Sequence, residues 1–192
     1  LLEDVRETAR EAIFNNPDIA VRALASEVFR RTENAPSLPP IPELLQLEGD
    51  ARRGQQIFQS EAAACNTCHS FAGLGMDIGP DLTAIGVKYG RAELMDAILN
   101  PSAAIAFGYD SWLMQVKGKG YFTGFILADG PNVVLKDPKG ARHVFAAADI
   151  LERDRQRVSV MPQGVALGLG AQGLADLVSF LLENREAKPI LG

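Results

Sequence analysis

The chain is poor in the side chains that build metal and disulfide chemistry. Its 192 residues include two cysteines, two histidines and one tryptophan. Two cysteines are too few for the disulfide framework of a small secreted scaffold. They are Cys65 and Cys68, and a bond between residues so close would close a small, strained loop and gain little. A structural zinc site wants four ligands, and beyond this pair only His69 and His143 remain. Basic charge is also scarce. Nineteen Lys and Arg face 24 Asp and Glu, a net charge of −5, which speaks against a nucleic-acid partner. The surplus acidity is local: residues 1–50 hold ten of the acids and five of the bases, so the remainder is balanced. No uninterrupted apolar run approaches the ~18 residues of a membrane span, so no span is expected in this segment. No Ser–His–acid array or paired-carboxylate site can be argued from residue order.

Three of the four Cys and His residues fall within five positions, Cys65-Asn66-Thr67-Cys68-His69. A C-x-x-C-H run reads as a c-type haem attachment site. Each thiol adds across one porphyrin vinyl group. The two-residue gap puts both sulfurs on one edge of the ring, and the adjoining histidine ligates the iron. A thioredoxin-like C-x-x-C would want a strand before it and a helix N-terminus at the first cysteine. Glu61-Ala62-Ala63-Ala64 reads instead as the end of a helix. One covalent haem c, and electron transfer as its default use, are therefore expected. Such haem is normally attached outside the cytoplasm, so a periplasmic or other extracytoplasmic location is expected. No signal peptide opens the sequence at Leu1, so the chain is expected to be a processed or excised piece.

Periodicity divides the chain. Residues 1–33 read as a helical hairpin, broken at Asn15-Asn16-Pro17-Asp18, whose apolar faces need a partner. Residues 34–48 read as a Pro-rich, extended linker. Asp50 opens a helix to about Ala62, residues 70–90 are Gly-rich loop, and Arg91–Leu99 is a short helix stopped by Asn100-Pro101. From 109 to 158 short apolar stretches alternate with Gly, Pro and Asn turns, the pattern of an antiparallel meander of three to five strands. The last helix, about 171–185, carries Leu174, Leu177, Val178, Leu181 and Leu182 on one face. Arg153, Arg155 and Arg157 would share a strand face, either meeting propionates or a partner, or lining a solvated edge. Gly168 to Gly173 matches G-x-G-x-x-G but lacks the strand and the distal acid of a dinucleotide site.

A second axial ligand is expected from Met or His. Met95 and Met114 sit at core-like positions, Met76 is close to His69 in sequence, and His143 lies mid-strand. Met161 lies in an irregular segment beside Pro162, from which it can swing onto the far face of the ring. Met161 is favoured, with His143 and an open or exogenous position as alternatives. The first ligand needs a partner for its other ring nitrogen. The rigid Gly79-Pro80 turn can aim a carbonyl at His69, or be a plain loop turn.

Gly49, Asp50, Gly54 and Phe58, then C-x-x-C-H, then Gly79-Pro80-Asp81-Leu82, then Met161-Pro162 before Asp176-Leu177-Val178-Ser179-Phe180-Leu181, together resemble the monohaem cytochrome c fold over residues 49–108 and 159–192. The resemblance implies a mainly α fold: a helical cytochrome core around covalent haem, with a small antiparallel β insert at 109–158 and the N-terminal helical hairpin. It implies that terminal helices cross near Gly54, that His69 and Met161 ligate iron, and that Pro80 receives the His69 hydrogen bond. Leu82 and Ile85 are expected on the haem wall. The insert, with Asn100-Pro101-Ser102, is similar to haem-binding domains that end large bacterial multidomain proteins, often after a dehydrogenase-like domain and HEAT-like repeats, so that the hairpin at 1–33 is expected to be a HEAT-like remnant or a packing segment. The expected role is an electron-transfer module rather than an enzyme, taking electrons from a dehydrogenase-type partner or fused domain to a downstream acceptor. The alternative is a haem enzyme or a gas or peroxide sensor with a labile distal Met161. A third reading makes the insert a docking module.

Overall fold

The structure is a computed structural model that describes residues 38–162 and 164–183, with Thr8, Ala12 and Ile13. The chain divides into two compact units, Leu1–Ser37 and Leu38–Gly192. The expected hairpin over 1–33, with its reading as a HEAT-like remnant, lies outside the described residues apart from those three. All the elements below belong to the second unit.

Residues 38–48 are not free linker. Pro42 suits the first turn of a helix, and α1 (Ile41–Leu44) forms there and buries Leu44 completely. α2 (Ala51–Gln59) follows, its N-terminus capped by the Asp50 carboxylate, which accepts from the Arg53 backbone N–H at 2.9 Å. Such a cap satisfies one of the free amides of the first turn. α2 buries Gly54 and Phe58 against α5 (Val165–Leu182). A Cβ on Gly54 would lie 2.1 Å from the Asp176 carbonyl oxygen, and one on Gly49 would lie 2.2 Å from that of Ala175. The two backbones touch there, which only glycine permits.

Arg53 locks the crossing. Its Nε and Nη2 donate to Asp176 at 2.7 and 2.9 Å, and the Asp50 N–H and the Gln172 amide donate to the same carboxylate at 2.8 and 2.9 Å. Phe58, Phe71 and Phe180 fill the space beside it, with ring centroids 4.4 to 6.0 Å apart. α3 (Ile85–Lys88) and α4 (Arg91–Leu99) close this core, α4 contributing Leu94, Met95 and Ile98.

α5 begins earlier than its periodicity indicates. Glycines at 168 and 170 are weak helix formers, so the apolar repeat becomes legible only after them. Gly170 breaks the helix with φ 68° and ψ 175°. This is where the G-x-G-x-x-G match lies, inside a kinked helix that the nearest strand does not adjoin. By length and composition α5 is also long and apolar enough to cross a membrane. Its apolar face, from Leu174 to Leu181, is buried in the helical core.

The expectation of a mainly α fold with a small β insert is overturned. About 36% of the described residues are helical and 24% lie in strands. A two-stranded ribbon, β1 (Ser70–Phe71) and β2 (Leu74–Gly75), occupies part of the stretch read as loop. The larger part is a five-stranded antiparallel sheet, at the upper end of the three to five strands expected: β3 (Ser111–Val116), β4 (Gly120–Ala128), β5 (Asn132–Lys136), β6 (Arg142–Ala146) and β7 (Ile150–Arg155), in the order β6-β5-β4-β3-β7. The sheet is substantial because alternate side chains build a core of their own: Met114, Val116, Val133, Leu135 and Phe145. Turn glycines with positive φ, Gly118 and Gly140 among them, interrupt the apolar pattern often enough to disguise its total length. The polar run at 151–155 is the edge strand β7.

Candidate functional site

The C-x-x-C-H segment follows a deliberate backbone change. After α2 ends at Gln59, Ala64 takes a left-handed conformation, φ 52° and ψ 23°. For a residue with a Cβ this is uncommon and mildly strained. It turns the chain into a single 3-10 turn, Cys65–Thr67, where the Cys65 carbonyl accepts from the N–H groups of Cys68 and His69 at 3.2 and 2.9 Å. One carbonyl thus binds the motif together. β2 folds against it: Met76 N–H donates to the Asn66 carbonyl at 2.9 Å. A Cβ on Gly75, whose φ is +102°, would lie 2.2 Å from the His69 carbonyl oxygen.

Both thiols are free and half-buried. Burial pushes the Cys65 thiol up from its ordinary pKa. A redox-active C-x-x-C needs the opposite, a thiolate stabilised at neutral pH, so the burial of Cys65 works against thiol–disulfide exchange. Nor do the described residues bring three His, Cys, Asp or Glu side chains together as a metal site.

His69 is held through one ring nitrogen. Its Nδ1–H donates to the Pro80 carbonyl at 2.8 Å, which leaves Nε2 with its lone pair. Burial lowers the pKa of the imidazole, against the opposing pull of that hydrogen bond, and keeps the ring neutral at pH 7. A neutral imidazole with one nitrogen fixed is the form that binds a metal. The ring lies directly on Gly79, where a Cβ would be 2.7 Å from His69 Cε1. The Ile78 and Gly79 amides donate to the Cys68 carbonyl at 3.0 and 2.6 Å, and Leu82 N–H donates to Ser70 at 2.8 Å. Residues 78–82 are thereby tied to the motif strand from Cys68 to Ser70.

Leu82, Ile85, Cys65 and Met161 all pack, partly buried, against one helical core. The donor set, an imidazole whose Nε2 is left unbonded by the Pro80 contact and two free thiols within five residues, fits a covalently held haem. The Met161 loop is anchored to the exit of α4. Ser159 N–H donates to Ser102 Oγ at 3.0 Å, and Met161 N–H donates to Ser159 Oγ at 3.2 Å.

The other candidate ligands are placed elsewhere. Met95 and Met114 are fully buried, one in each core, and Met76 is half exposed. His143 is paired with Asp137 at 2.8 Å and packs on Phe122 and Phe145. Of the three arginines, Arg153 pairs with Asp129 at 2.9 Å and Arg155 with Asp110 at 2.7 Å. Arg157 lies past the end of β7 and lines a cleft with Ser102 and Ile105. Sequence reasoning missed Gly79 as the floor under the imidazole. Its signal was the glycine preceding Pro80. It also missed the left-handed Ala64, for which the sequence offers no signal.

No curated protein matches the chain. Residues 51–129 match the family model for cytochrome c, a stretch that holds Cys65, Cys68, His69, Pro80, Leu82 and Ile85 but ends before Met161. The match supports a cytochrome c fold in this part of the chain, and with it a haem-binding, electron-transfer character.

Proposed function

We propose that this chain is a c-type cytochrome module in which Cys65 and Cys68 hold one haem covalently, His69 and Met161 are the axial ligands, and single electrons pass between protein partners. The observation that carries the reading is the His69 Nδ1–H hydrogen bond to Pro80, at 2.8 Å, within a C-x-x-C-H segment whose thiols are both free. Bound there, the haem supplies a one-electron ferric/ferrous couple. The chain's residues hold and tune it. The Pro80 carbonyl orients the imidazole and raises its basicity. Met161 is the favoured second ligand because it lies in an irregular segment and packs, partly buried, on the same helical core as Cys65, whereas Met95 and Met114 are committed to cores and His143 to Asp137. A thioether ligand, and apolar cover of the ring by Leu82 and Ile85, would both disfavour the extra charge of the oxidised state and raise the potential.

The chain then serves as a carrier rather than an enzyme. Its donor is a dehydrogenase-type partner or fused domain, its acceptor a second carrier, and its location extracytoplasmic, where such haem is attached. The test is an absorption spectrum and a pyridine haemochrome assay on the full chain from a host able to attach haem. One covalent haem c per chain, low-spin when reduced, with a weak near-infrared sulfur-ligation band when oxidised, is expected. Colourless protein with two titratable thiols overturns the reading.

A further inference from the structure

Lys136, at the end of β5, is a charged residue in an unlikely place: its side chain is 8% exposed. A buried ammonium is costly unless a partner compensates it, and an apolar residue there would serve the sheet better. The compensation comes from outside the sheet. Lys136 Nζ donates to the Asp77 backbone carbonyl and lies 3.7 Å from the Asp77 carboxylate.

Asp77 opens the four-residue run that carries the His69 support. Ile78 and Gly79 follow, bound to the Cys68 carbonyl, then Pro80, bound to His69 Nδ1. The sheet grips this run a second time. In the β5–β6 turn, a Cβ on Gly140 would lie 3.5 Å from Ile78 Cγ1, so that turn rests on the Ile78 side chain, which is 5% exposed. We propose that the five-stranded sheet buttresses the axial histidine, and that Lys136 is the positioning residue: it fixes Asp77, and through residues 78–80 it sets the His69–Pro80 hydrogen bond. This assigns the sheet a role within the reading above, and it rests on that reading.

The test compares the haem-loaded full chain with its Lys136→Met variant, which keeps length and burial but cannot donate. Amide exchange at Ile78 and Gly79 should quicken about tenfold, the loss expected for one hydrogen bond to a charged group. Exchange at Leu135 should not change. The reduction potential should rise, because a looser Nδ1–H bond makes the imidazole a poorer donor to oxidised iron. A falling potential marks Lys136 as merely a nearby positive charge and overturns the proposal, as does unaltered exchange at Ile78 and Gly79. If Lys136→Met fails to fold, Ile78→Ala, which withdraws the side chain on which the Gly140 turn rests, must still quicken exchange at Gly79, and no change there is equally fatal. A haemochrome assay on the same samples keeps the two ideas apart. Faster exchange in a chain without attached haem upholds the mechanical link and refutes the haem reading.

Discussion

Single residues at this site are constrained from more than one side. His69 is fixed by the Pro80 carbonyl at Nδ1 and by Gly79 under its face, so its free nitrogen has a defined direction. Met161 is fixed differently: its N–H donates to Ser159 Oγ, Ser159 N–H donates to Ser102 Oγ, and its side chain packs, partly buried, on the helical core. That difference gives a direct prediction. Met161→Ala should lower the reduction potential, since the thioether favours ferrous iron, and should let added imidazole bind the oxidised protein with a clear spectral change. If both potential and imidazole response match the wild type, Met161 is not a ligand, and the reading of a sensor or haem enzyme with a vacant position gains. The His69–Pro80 hydrogen bond was legible in the sequence because both partners lie in short motifs close along the chain. C-x-x-C-H places three functional atoms within five positions, and Gly79-Pro80 follows closely enough for one turn to bring it back.

At the scale of elements, the α2–α5 crossing depends on backbone contact at Gly49 and Gly54 and on one buried carboxylate. The Arg53 guanidinium beside Asp176 overcomes the cost of burial, and with the Asp50 N–H and Gln172 it lowers this carboxyl from 3.8 to about 2. A folded pKa below the unfolded one contributes stability that is complete above about pH 4 and is lost as pH falls through 2. Arg53 is itself half exposed, so solvent screens part of the shift, and the contribution is about 2 kcal/mol. Asp176→Asn should therefore lower the melting temperature at pH 7 by roughly 4–8 °C. The gap between variant and wild type should narrow from pH 4 to pH 2. A gap that is constant with pH would show that the cost is steric rather than electrostatic. The helices themselves were readable from apolar spacing and from the Asp50 cap. The early start of α5 was not, because its glycines carry no face.

Among the described residues of this unit the helical and sheet parts each have a core of their own, and Lys136–Asp77, Gly140–Ile78 and Ser102–Ser159 are among the contacts between the sheet with its flanking turns and the rest. The sheet core is small, five buried side chains, and should open as a cooperative unit of its own. Leu135→Ala, at a fully buried position, should cost about 2–5 kcal/mol. In hydrogen exchange the loss should appear across β4, β5 and β6, with α2 and α5 keeping their protection. Equal loss of protection in α2 and α5 would mean that the two cores unfold as one.

What the residues alone determined is whatever lies close along the chain: the attachment motif, the proline turn that can meet its histidine, the helix faces, and the alternating pattern of the strands. Short-range chemistry and period set these, and both are written locally. What only the tertiary structure decided is the weight of the sheet, which displaced the mainly helical expectation, and the joining of sheet to site. Lys136 and Asp77 stand 59 residues apart, and nothing in either neighbourhood names the other. A buried charge finds its partner only once both cores have closed around it, because burial is what makes that partner necessary.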